Sequence, residues 1–91
     1  MDKNSLNVVH NEAAHRFEIQ LESQMAELTY ILQDDKIKFT HTGVPSEWEG
    51  RGIGSMLVKA GLQYAWEKDL KVEALCWFVS KYIQRHPESV K

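Results

Sequence analysis

Two hydrophobic periods divide the chain. In the first half, apolar side chains recur at every second position. Leu6, Val8 and His10 alternate with Ser5, Asn7 and Val9, and Phe17, Ile19 and Leu21 alternate with Arg16, Glu18, Gln20 and Glu22. Ala26, Leu28, Tyr30 and Leu32 then alternate with Glu27 and Thr29, while Ile37, Phe39 and His41 alternate with Lys36, Lys38 and Thr40. A period of two places one apolar face of a strand on a core and the other in solvent. The connectors Asn11-Glu12-Ala13-Ala14, Glu22-Ser23-Gln24 and Gln33-Asp34-Asp35-Lys36 are short enough for hairpins. The pattern predicts four antiparallel strands in a meander, over 6–10, 15–21, 25–32 and 36–42.

The period changes at Gly52. From there to Lys68 the polar residues Ser55, Lys59, Gln63 and Glu67 recur every fourth position, and nearly everything between them is apolar. Such a narrow polar stripe predicts a helix lying against a sheet. Gly61 costs such a helix about 1 kcal/mol relative to alanine, which points to close packing against a strand. Leu70 to Leu75 alternates again and predicts a fifth strand. Cys76 to Arg85 places Phe78, Val79, Tyr82 and Ile83 on one face of a second helix, which Pro87 stops. The order is β-β-β-β-α-β-α. A helix joining strands four and five favours their parallel pairing, so the class is α+β with a mixed sheet.

Composition narrows the setting. The chain has 91 residues, 43% of them hydrophobic and 26% charged, as expected of one small globular domain spanning 1–91, with about 6–86 structured. A net charge of −2 without a basic cluster argues against nucleic acid and anionic membrane as partners. No apolar run approaches the ~20 residues of a membrane-crossing helix. The start, Met-Asp-Lys-Asn-Ser, has no apolar core of a secretion signal. Cys76 is the lone cysteine and has no disulfide partner within the chain. Together these point to a reducing, cytoplasmic setting.

The segment with chemistry in it is His41-Thr42-Gly43-Val44-Pro45-Ser46-Glu47-Trp48-Glu49-Gly50-Arg51-Gly52-Ile53-Gly54, which runs into the long helix. Three alternating glycines before a helix leave backbone N–H groups unshielded at the positive end of its dipole, suited to phosphate. Glycines that merely allow a sharp bend read equally well from composition. No lysine stands at the helix start, as a P-loop requires. The glycine spacing also differs from a dinucleotide fingerprint.

Val44-Pro45, then Gly50-Arg51-Gly52-Ile53-Gly54 and a helix opening Ser55-Met56-Leu57-Val58, resembles the acetyl-coenzyme A loop of the GNAT acetyltransferase superfamily. Phe17-Glu18, Ala26-x-Leu28-x-Tyr30, Ile37-x-Phe39-x-His41-Thr42, Cys76-x-Phe78-Val79-x-x-Tyr82-Ile83 and His86-Pro87-Glu88 together resemble its short stand-alone members, over about 7–88. The resemblance implies an acetyl-coenzyme A-dependent N-acetyltransferase acting on an amine, small molecule or protein, that the sequence does not name. It implies pyrophosphate on the amides of Gly50, Arg51, Gly52, Ile53, Gly54 and Ser55, and pantetheine along Thr42, Gly43 and Val44. Two departures stand out. The position usually held by glutamine or arginine falls on Glu49, and the superfamily's later strands, which help wall the acceptor site, have no counterpart after the second helix.

Cys76, His41 and Tyr82 are the candidate catalytic groups. Cys76 falls at the second helix's N-terminus, where the dipole favours thiolate, though most free cysteines are simply small buried apolar groups. His41 continues the register of Ile37 and Phe39, so it is expected to face the core side near the cleft, as proton acceptor or as a structural histidine. Tyr82 matches the tyrosine that GNAT enzymes use to protonate the leaving thiolate, and it shares a face with core aromatics. Glu47 reads as solvated. Lys59, Lys81, Arg85 and His86 read as mostly solvated helix positions, and the resemblance implies that one or two of them meet the cofactor's 3′-phosphate. No clustered ligand set of the zinc kind is present, so no metal is expected. A non-catalytic coenzyme A sensor or adaptor, and a protein-interaction module using the meander's edge and Trp48, remain as rivals.

Overall fold

A computed structural model describes residues 6–91; the reading of the Met-Asp-Lys-Asn-Ser start lies outside the described residues. The elements are β1 (Val8–Asn11), β2 (Arg16–Leu21), β3 (Gln24–Gln33), β4 (Lys36–Gly43), α1 (Ile53–Glu67), β5 (Lys71–Ala74) and α2 (Trp77–Arg85). Short 3-10 turns cover Ser46–Trp48 and Pro87–Ser89, neither of them evident from periodicity. The five strands form one sheet in the order β1-β2-β3-β4-β5. Neighbours pair antiparallel from β1 to β4, and β5 joins β4 in parallel. The expected α+β mixed sheet is therefore the fold.

The period-two residues of the meander form the core. Phe17, Ile19, Leu21, Ala26, Leu28, Tyr30, Ile37 and Phe39 are all buried. Leu32, although paired with the fully buried Ile37, leaves that set at 43% exposed. Over the buried face lies α1, burying Ile53, Gly54, Leu57, Val58, Gly61, Leu62 and Ala65 in one three-four-spaced stripe. Each large apolar side chain buried this way contributes about 1.5–3 kcal/mol. Ser55, Lys59, Gln63 and Glu67 all face solvent, as their spacing predicts. Gly61 shows the expected close approach: a Cβ there would lie 2.8 Å from Phe39 Cε1 and 3.1 Å from Leu28 Cδ2.

The other face of the sheet is polar. Arg16 pairs with Glu18 and reaches Glu27 at 3.7 Å, and Lys38 meets Glu73 at 3.9 Å. Such exposed pairs add little stability. They do make a solvated sheet face chemically acceptable.

One irregularity shapes the site. Tyr30 pairs with Phe39, but Thr29 pairs with His41, so Thr40 is an extra residue in β4. A β-bulge of this kind reverses the facing of every residue beyond it. His41 thus shares the outer, polar face with Thr29 and is exposed. This corrects the expectation that it follows Ile37 and Phe39 toward the core side. Thr42, paired with buried Leu28, takes that side instead.

Candidate functional site

The cleft begins where β4 and β5 part. Their parallel pairing ends at Phe39 and Ala74. Beyond it the N–H groups of Leu75 and Cys76 both donate to the Phe39 carbonyl, at 3.0 and 3.1 Å. Past that point Thr40–Gly43 has β3 on one side and open space on the other. The resulting cavity measures about 830 Å³. One wall is Thr40 to Gly43 of β4 with Val44 just beyond it, and another is the loop and first turn of α1, Glu49 to Ser55 without Arg51. The junction Leu75–Phe78 closes the third.

Local backbone chemistry explains the loop wall. Gly50 and Gly52 both have φ of +78°, a left-handed conformation that side-chain-bearing residues adopt at a cost of about 1–2 kcal/mol. A Cβ on Gly50 would meet nothing within 4 Å, so the surface there is open. Gly52 caps α1 with no side-chain hydrogen bond, and no acidic residue occupies the first turn. The first intrahelical bond is Met56 N–H to the Gly52 carbonyl, 3.1 Å. The amides of Ile53, Gly54 and Ser55 therefore precede the helix's own acceptors and are available to an anion.

Trp48 anchors this loop. It is buried, and the Arg51 guanidinium lies 4.8 Å from its ring centroid. The Arg51 side chain is engaged there and does not line the cleft. Burial likewise removes Trp48 from any exposed interaction surface. Glu47 is exposed and accepts a long contact, 3.5 Å, from Gln24 Nε2. Glu49 is also exposed and lies on the cleft's edge.

Cys76 stands at the N-cap of α2, half-buried, with its Sγ 3.5 Å from Thr42 Oγ1. Burial pushes the thiol up. The Thr42 hydrogen bond and the backbone N–H groups of Val79, Phe78 and Thr42 pull it down and prevail, leaving it below the ordinary cysteine value. The sulfur is thus tuned toward thiolate in a cavity wall. Tyr82 is not brought to it. Tyr82 lines a smaller cavity of about 240 Å³ together with Ser55, Trp77, Phe78, Lys81, Arg85 and His86. His41 lines the main cleft and is exposed.

Several wall residues escaped the sequence reading as site groups, Thr40, Leu75 and Trp77 among them. Thr40 and Leu75 belong to no motif. Trp77 had a legible cue, since two adjacent aromatics at a helix start cannot both face the core. Phe78 turns inward, and Trp77 remains 73% exposed.

A family model described as GCN5-related N-acetyl-transferase matches residues 16–91. The chain belongs to this family. It is also similar to protein NATD1 of Xenopus tropicalis, 34% identical over 86 residues, covering 91% of this chain and 79% of that one. Protein NATD1 of Homo sapiens is 34% identical over 85 residues, covering 90% and 75%. Among solved structures, the fold is similar to the NMR solution structure of a GCN5-like protein from Staphylococcus aureus, named as an N-acetyltransferase. That match has a TM-score of 0.73 at 32% identity, over 92% of this chain and 83% of that one. Among the described residues no cluster of metal-ligating side chains occurs, and no helix is long and apolar enough to cross a membrane.

Proposed function

We propose that this protein is an acetyl-coenzyme A-dependent N-acetyltransferase whose cofactor enters the cleft between β4 and β5. One observation carries the reading. A single cavity holds the uncapped first turn of α1, the unpaired flank of β4, and a thiol tuned toward thiolate. The open cradle fits the cofactor's charge, because Gly50 leaves the surface bare and no carboxylate of the helix's first turn competes for its amides.

In this reading the amides from Gly50 to Ser55 hold the pyrophosphate, with the backbone of Arg51 among them. The free edge of Thr42, Gly43 and Val44 lines the pantetheine arm as a strand would. Acetyl-coenzyme A, when bound, supplies an activated acetyl thioester. The chain's own work is to align an amine against it, which proximity alone makes worth several kcal/mol of barrier. Cys76 Sγ, as thiolate, takes the proton that the acceptor amine releases, and the Thr42 hydroxyl steadies it. His41 is turned by the bulge to the exposed face and Tyr82 lines only the adjoining cavity, so Cys76 takes the catalytic weight. The acceptor amine is not specified by the cleft's residues.

Calorimetry with acetyl-coenzyme A tests the reading. Gly50→Val strains a left-handed position but meets no neighbour, so the circular dichroism spectrum is expected to hold while affinity falls at least about tenfold, or 1.4 kcal/mol. Unchanged affinity rejects the amide cradle. Cys76→Ser is expected to bind normally and to lose turnover with a panel of amines. Binding without turnover in the wild-type protein leaves a coenzyme A-binding adaptor.

A further inference from the structure

The smaller cavity beside the cleft has a chemistry of its own. It opens between the first turn of α1 and the outer face of α2, and it shares Ser55, Trp77 and Phe78 with the main cleft. A ligand lying on the α1 amides therefore continues into it at Ser55. Its remaining wall is Lys81, Tyr82, Arg85 and His86, with no carboxylate. Lys81 and Arg85 stand four residues apart, on one flank of α2. Among the described residues neither forms a salt bridge, whereas His86 faces Glu88 at 3.5 Å. In a chain of net charge −2, two unpaired cations converging on one cavity form a local anion site. Trp77, 73% exposed at the cavity's lip, offers a bare aromatic face on which a purine can stack. The cavity thus combines a stacking plane with a fixed pair of cations, and it lies next to a pyrophosphate cradle.

We propose that this cavity binds the 3′-phosphoadenosine end of coenzyme A, with Lys81 and Arg85 on the 3′-phosphate and Trp77 on the adenine, so that the protein selects coenzyme A over dephospho-coenzyme A. The proposal rests on the cofactor reading above and extends it to a specificity determinant on α2. The two cations are solvent-exposed, so replacing them spares the fold.

Calorimetric titration of the wild-type protein with coenzyme A and with dephospho-coenzyme A, at one fixed ionic strength, tests it. Charge-assisted contacts to one phosphate group predict about tenfold tighter binding of coenzyme A. The double variant Lys81→Gln/Arg85→Gln is expected to bind both ligands with the affinity that the wild-type protein shows for dephospho-coenzyme A. Trp77→Ala is expected to weaken both ligands equally, because both carry the adenine. Equal wild-type affinities, or a preference that survives in the double variant, overturn the proposal while leaving the cofactor reading in place. Failure of the wild-type protein to bind either ligand removes the cofactor reading, and the proposal with it.

Discussion

The meander under α1 and the splayed pair β4–β5 are built from the same sheet, and they differ in how completely it is satisfied. From β1 to β3 the partners run in unbroken register, and the inward side chains of β2, and of β3 from Ala26 to Tyr30, are at most a few per cent exposed. From β4 onward the register breaks at Thr40, and pairing with β5 lasts only to Phe39 and Ala74. Leu75 and Trp77 stand in solvent. One half uses its backbone and apolar groups on itself. The other leaves amides, a strand flank and aromatic surface available to a ligand. Phe39 marks the boundary, with its ring under Gly61 and its carbonyl receiving both Leu75 and Cys76. The contrast suggests where stability and binding are separable, and two glycines of one helix test it.

Gly61→Val has the largest expected effect and falls wholly on the filled half. Its Cβ would sit 2.8 Å from Phe39 and 3.1 Å from Leu28, both fully buried, so neither ring nor methyl has room to retreat. Overpacking of this kind costs about 3 kcal/mol, a large share of a small domain's net stability. The urea midpoint is expected to fall steeply, and the residual folded fraction to bind cofactor normally. Gly54→Ala is the counterpart on the open half. Its Cβ would lie 2.7 Å from Phe78 Cζ, but Phe78 is only partly buried and can swing outward. The helix-propensity gain of about 1 kcal/mol offsets part of that strain. Stability is therefore expected to change little. Because Phe78 lines both cavities, coenzyme A affinity is expected to drop about tenfold, or 1.4 kcal/mol. Equal losses of stability and affinity in both variants would erase the distinction between the halves.

What was legible in the sequence follows the same division. Strict alternation is the signature of a strand whose one face is filled, so the meander, its hairpins and the stripe of α1 could be read directly. The Gly61 contact was legible too, since a glycine inside an apolar helix has few other reasons to be there. The site was legible only where backbone carries it, in the glycines before α1 and the cysteine before α2. His41 was misplaced because period two was extended through a bulge, and a bulge depends on pairing with Thr29 that no local pattern announces. The stacking of Arg51 on Trp48 was not legible, because it depends on where the loop buries that ring. The cavity around Lys81 and Arg85 exists only once α1 and α2 pack, which single residues do not reveal.

The smallest expected effect returns to the filled half and asks whether its only partly buried histidine behaves as core. The His10 ring stacks on Phe17 with centroids 4.1 Å apart and meets Tyr64 edge-on at 4.5 Å. In the neutral tautomer protonated at Nδ1, Nε2 accepts a hydrogen bond from the Tyr30 hydroxyl across 2.5 Å. Burial lowers its pKa from 6.5, and the charge of Glu12 opposes this only in part. Because the folded value lies below the unfolded one, the unfolded chain binds the proton more readily. The contribution of His10 is therefore fully present above about pH 6.5 and is lost as pH falls toward the folded value. His10→Gln keeps an acceptor for Tyr30 but cannot titrate. Urea midpoints measured from pH 8 to pH 5 are expected to fall further for the wild-type protein than for this variant, although the variant, lacking the stacked ring, starts lower at pH 8. Parallel pH profiles would mean that His10 is solvated in the folded state, and that the filled half of the sheet ends at β2.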